Sequence, residues 1–76
     1  MNISMKLSCK NLEQRVSLRK LSNGVYTVKL ITIKSILVPE QTGMVISWNF
    51  THHDDAFQKY LSLAKEQAEH IVFMSL

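Results

Sequence analysis

Apolar residues tend to recur at every second position through the first two thirds of the chain. From Phe50–Asp55 onward they recur at spacings of three and four. Alternation places side chains on opposite faces of a strand, whereas the second spacing draws a stripe along a helix. Asn2–Lys10 alternates cleanly, with Ile3, Met5, Leu7 and Cys9 on one side and Asn2, Ser4, Lys6, Ser8 and Lys10 on the other. This predicts a half-buried strand. Asn11–Gln14 reads as a polar connection, and Arg15–Leu21 as a second strand with Val16 and Leu18 inward. Asn23-Gly24 is the strongest short hairpin signal, because both residues tolerate the positive φ of a type I′ turn.

Val25–Ser35 predicts a third strand in which Tyr26, Val28 and Leu30 share a face. The phase then flips, with Ile31 and Ile33 apolar and Thr32 and Lys34 polar. Such a flip exposes core residues unless a bulge absorbs it, so an irregularity is expected near Leu30–Ile31. Pro39–Gly43 reads as a turn, and Met44–Phe50 as a fourth strand with Met44, Ile46, Trp48 and Phe50 inward. Thr51 is the expected helix N-cap, with Asp54 three positions on and Asp55 beside it at the positive end of the helix dipole. Phe57, Tyr60, Leu61, Ala64, Ala68, Ile71 and Val72 then form a broad apolar arc with Leu63 at its edge.

The order is therefore β-β-β-β-α. It predicts one small α+β domain over residues 1–76: an antiparallel sheet of about four strands with one C-terminal amphipathic helix packed on one face. This order resembles the repeating unit of several single-stranded nucleic-acid binders, among them the Pur and Whirly families and a transcriptional coactivator family. The resemblance covers most of the chain as element order. It carries no motif and assigns no residue a role.

Charge divides unevenly along this plan. Residues 1–38 hold seven of the nine Lys and Arg and one acid, Glu13, whereas residues 39–76 hold Lys59 and Lys65 against five acids. The sheet is thus basic and the helix mildly acidic. Lys6, Arg15, Arg19 and Lys29 fall on the outward phase and form a candidate face for an anionic partner. A polar exposed face is also what any one-sided sheet requires. Sheets that bind single strands usually add exposed aromatic rings. Here Tyr26, Trp48 and Phe50 lie on the inward phase, which counts against base stacking.

Size sharpens the expectation of a partner. At 76 residues, 46% of them apolar, a domain buries roughly 60–65% of its unfolded surface and nets about 3–5 kcal/mol without a disulfide, metal or partner. The single cysteine, Cys9, forms no internal disulfide. A homodimer is the natural expectation, with the apolar terminal residues Phe73, Met74 and Leu76 as a candidate protein-contact patch. No leader-like apolar run opens the sequence, and no stretch approaches the roughly 18 apolar residues of a membrane span. A lone thiol then fits a reducing cytoplasm.

Candidate chemistry is sparse. His52-His53-Asp54-Asp55 is the one cluster of metal-capable side chains, and His70 lies about 27 Å further along the helix at 1.5 Å per residue. Zinc needs three or four converging ligands, so no metal is expected. Cys9 on an inward phase reads as a small filler, and Asp54 and Asp55 diverge by about 100° on a helix, which leaves no opposed acid and base. Both glycines are turn residues, so there is no phosphate-cradling loop. With no catalytic or cofactor-binding residues, the expected function is non-enzymatic. The chain reads as a small intracellular binding module, inhibitor- or adaptor-like, acting as a homodimer through an exposed sheet face or edge on a protein partner. The alternative is binding of single-stranded DNA or RNA through the basic sheet face.

Overall fold

The computed structural model describes Asn2–Ser75. Strands β1 (Asn2–Ser8), β2 (Leu12–Lys20), β3 (Tyr26–Ser35) and β4 (Val45–Phe50) form one antiparallel sheet in sequence order. Helix α1 (His53–Ser75) packs on one face, and a single 3-10 turn, Pro39–Gln41, lies between β3 and β4. This is the α+β architecture expected from the change of period.

Both of the first two connections differ from expectation. The β1–β2 turn is tight, with the Cys9 N–H donating to the Leu12 carbonyl at 2.8 Å. Leu12, Glu13 and Gln14 therefore belong to β2, and Cys9 sits half-buried beyond the end of β1 rather than on its inward face. In the β2–β3 hairpin Gly24 has φ +83°, and among the described residues no other type has positive φ. Asn23 is thus not left-handed. The Gly24 N–H closes a turn on the Leu21 carbonyl at 3.0 Å, and the Asn23 side-chain oxygen accepts the Val25 N–H at 3.0 Å. Asn-Gly marks the hairpin correctly, but the turn is a three-residue loop with glycine at its exit, not type I′.

The irregularity in β3 lies beyond Leu30–Ile31. Val16 pairs with Leu30, Arg15 with Ile31 and Gln14 with Thr32, and the register then shifts so that Glu13 faces Lys34. Ile33 is the extra residue. The phase set by Tyr26 and Val28 accordingly continues to Thr32, which is buried on the helix side opposite Gln14. Ile31 stays on the outer face beside its partners Arg15 and Val45.

Val16, Leu18 and Val28 are the largest fully buried side chains, at the centre of a core closed by Ala56, Tyr60 and Leu63. Ile3, Leu7, Tyr26, Leu30, Trp48, Phe50 and Phe57 pack around it half-buried. The first turn of α1 is held beside β3, where the His53 ring stacks on Phe57 at 5.8 Å and meets the edge of Tyr26 at 5.5 Å. Its last turn reaches the β1–β2 turn, where Ser75 touches the Cys9 thiol. The helix is about 34 Å long and crosses the sheet diagonally.

Two expectations for the helix are corrected by that path, and one for β4 holds in phase though not in burial. Leu63 is in the core, whereas Leu61 and Val72 are exposed, because the apolar arc is wider than the strip of sheet beneath it. The helix begins at His53, with the His52 carbonyl accepting the Ala56 N–H at 3.2 Å, so Thr51 lies one residue ahead of the cap position. Met44 and Ile46 keep the inward phase, yet each remains nearly half exposed because the helix has already crossed toward β2.

Candidate functional site

The diagonal crossing opens a cleft at one corner. Between the second half of α1 and the adjoining ends of β3 and β4 is a cavity of about 580 Å³. Its floor is Leu12, Gln14, Leu30, Thr32 and Ser35, its side is Val38, Gln41, Met44 and Ile46, and its roof is Glu66, Gln67, Glu69, His70 and Met74. The loop after β3 is tied down at this corner. Ser35 donates its N–H to the Thr42 hydroxyl oxygen at 3.0 Å, and the Ile36 N–H bonds the Asn11 carbonyl at 2.9 Å.

Three polar residues of the cleft are buried, Ser35 at 3%, Gln14 at 6% and Thr32 at 7% exposure, and Gln14 is the one with an unpaired atom. Its side-chain N–H donates to the Thr32 hydroxyl at 3.3 Å, and among the described residues no donor reaches its Oε1. Buried polar groups in native proteins are nearly always paired, so an orphaned carbonyl in a small core marks a polar requirement of its own. Sequence reasoning missed both residues. In the hydropathy pattern Gln14 reads as part of a connection, and the apolar residues on either side of Thr32 turn it outward.

A second open feature is the β4 edge. Thr32 donates its N–H to the Met44 carbonyl at 2.9 Å and accepts the Gly43 N–H at 2.7 Å, so its main chain is directed toward β4. Bonding direction alternates along an antiparallel strand. Ile46, Trp48 and Phe50, opposite Leu30, Val28 and Tyr26, therefore bond inward, and Val45, Ser47 and Asn49 direct their N–H and C=O groups away from the sheet. The strand Val-Ile-Ser-Trp-Asn-Phe contains no charge and no proline. The opposite edge, β1, carries Lys6, whose ammonium is 3.3 Å from the Glu13 carboxylate. Lysine is a usual safeguard of an edge strand; β4 has none.

The third feature is the outer face of the sheet, where the register places the four cations named from the sequence. Lys6 is directly opposite Arg15, Ser17 faces Lys29, and Arg19 faces Thr27. Asn49 accepts a 2.9 Å hydrogen bond from the buried Thr27 hydroxyl. The inner-face assignment of the rings holds, since Tyr26, Trp48 and Phe50 all border the core. The Lys59 ammonium lies 4.4 Å from the centre of the Trp48 ring and covers it from the helix side.

The terminal patch divides. Phe73 is 75% exposed, together with Val72, whereas Met74 turns into the cleft. Leu76 lies outside the described residues. His53 is within 3.5 Å of Asp54, but among the described residues no group of three or more His, Cys, Asp or Glu is placed to hold a metal. Hydrogen bonds from the Asn11 backbone, the Ser75 side chain and the Leu12 backbone hold the Cys9 thiol below its ordinary pKa, outweighing the opposing effect of burial. Among the described residues no helix is long and apolar enough to cross a membrane. No family model, curated protein or solved structure matches this chain.

Proposed function

We propose that this chain is a non-enzymatic binding module that works by strand addition at β4, first to a second copy of itself and through the same kind of edge to a protein partner. The observation that carries this reading is the uncharged edge with the outward main-chain groups of Val45, Ser47 and Asn49. Edges of this kind template pairing with another chain. The strand is also complementary to itself. An antiparallel pair centred on Ser47 sets Val45 against the partner's Asn49 with all outward groups matched, and sets the half-exposed Ile46 beside the partner's Trp48. Both helices then lie on one side, and the two cationic faces merge on the other.

Light scattering on the full chain tests this, with Ser47→Pro as the breaking variant. The Ser47 N–H makes no bond within the sheet, so proline there removes only the outward donor. Val45→Lys places a charge on the same edge. A dimer reduced to monomer by either variant is the expected result. A monomeric parent chain, or a dimer that survives both substitutions, contradicts the reading.

One observation favours a second reading, an anionic partner such as single-stranded DNA or RNA on the outer face. Arg15, Arg19 and Lys29 share that face, and among the described residues none of the three has a carboxylate within ion-pair distance, whereas Lys6 is held by Glu13. On this reading a labelled oligonucleotide binds at about 50 mM salt and is released steeply as salt rises. Lys6→Glu, Arg19→Glu and Lys29→Glu together abolish that binding. Absence of binding at low salt, or affinity that survives the triple change, removes this reading.

A further inference from the structure

We propose that the second copy of this chain closes the corner cleft, with its Lys59 ammonium meeting Glu66 across the mouth. The closure rests on the antiparallel β4 pair centred on Ser47, and it gives that pair a charge selectivity. The same register sets Met44 beside the partner's Phe50 and Ile46 beside the partner's Trp48. On each copy these inner-face positions already bond β3 through their main chains. They therefore meet across the edge as non-hydrogen-bonded pairs, with Cα atoms about 4.5 Å apart and side chains at their closest. Met44 and Ile46, 49% and 44% exposed, are covered on the side that the helix leaves open.

Charge singles out the occupant. Glu66 and Glu69 border the cleft, and among the described residues no lysine or arginine lines it. Lys59 and Glu66 project from the helix in nearly one direction, since seven residues turn through about 700°. Lys59 stands 4.4 Å over the Trp48 ring on the edge strand, and Glu66 shares the cleft with Ile46, so both face β4. Among the described residues neither has an oppositely charged partner in its own chain. Their midpoint falls by Leu63, which packs in one core with Val16, Leu18 and Val28. The rows of those three residues flank the row of Ser17, Lys29 and Ser47. A two-fold axis through Ser47 therefore brings the partner's Lys59 level with Glu66, twice per dimer. The partner's Trp48 lies beside Ile46, and the ammonium above that ring reaches the acid above Ile46.

Sedimentation equilibrium of the full chain at low salt, where charge is least screened, provides the test. Lys59→Glu and Glu66→Lys, each alone, set like charges together at both mouths and raise the dimer dissociation constant about tenfold or more. An equimolar mixture of the two variants forms a mixed dimer in which both pairs are again opposite in sign, with affinity within about threefold of the parent chain. Lys65→Glu, about 120° from Lys59 around the helix, makes the same change in net charge and leaves affinity unchanged. Lys59→Gln replaces Lys59→Glu in the mixture should that variant fail to fold. Single changes with no more effect than Lys65→Glu, or a mixture no tighter than its components, overturn the proposal and leave strand addition standing. A monomeric parent chain overturns both.

Discussion

The two halves of helix α1 rest on the same sheet and produce opposite results. Over the first half, Ala56, Tyr60 and Leu63 close on Val16, Leu18 and Val28, and no polar side chain interrupts the contact. Over the second half the helix has moved toward the β1–β2 turn, and the end of β3 and the start of β4 are left facing a cleft with Gln14 and Thr32 on its floor. The first half holds the fully buried side chains, and the second, which also buries Leu12 and Ile71, holds the polar groups that a stable core does without. The comparison teaches that a diagonal crossing on a four-stranded sheet covers two corners and opens a third. The open corner adjoins the unprotected β4 edge through Met44 and Ile46.

Substitutions in the two halves should therefore differ sharply. Leu18→Ala, in the closed half, is expected to cost about 3 kcal/mol, measured by urea unfolding. That loss rivals the whole stability of a domain of this size. Gln14→Leu with Thr32→Val, in the open half, should instead raise stability by about 1 kcal/mol, since it removes an orphaned acceptor and its partner together. Met44→Ala should change stability by less than about 1 kcal/mol, because its side chain stands half in solvent. A large loss at Met44 or at the Gln14–Thr32 pair would erase the distinction between the halves.

A finer prediction concerns the far end of the open half. The Cys9 thiol should be alkylated with a pH midpoint below that of the urea-unfolded chain, and Ser75→Ala should move the midpoint upward. Because the folded pKa is the lower one, this group's contribution to stability is complete above the unfolded pKa. It is lost as pH falls through the folded value. An unchanged midpoint in the variant would detach the helix end from the β1–β2 turn.

The closed half was readable from the sequence because pattern and burial agree there. Val16, Leu18, Tyr26, Val28 and Trp48 alternate, and the helix covers them. The open half was misread where they disagree. Hydropathy at Ile31, Thr32 and Ile33 suggests a phase flip, yet the register holds through Thr32 and the extra residue enters at Ile33. Ile31 is tolerated outside because it lies beside Val45, while Thr32 is tolerated inside because Gln14 bonds it. These are cross-strand facts, and a periodicity taken one strand at a time does not contain them. Exposure of Leu61 and Val72 has a similar origin, since the direction of the helix axis decides which part of an apolar arc meets the sheet. The four cations of the outer face were placed correctly because their strands keep a simple alternation.

Amide hydrogen exchange along β4, followed residue by residue as the chain is diluted, tests the central claim most directly. The amides of Ile46, Trp48 and Phe50 should be protected at every concentration by their bonds to β3. Those of Val45, Ser47 and Asn49 should be protected at high concentration and lose protection together on dilution, as the second copy leaves the edge. Free-chain exchange at Val45, Ser47 and Asn49 at all concentrations would contradict strand addition at this edge.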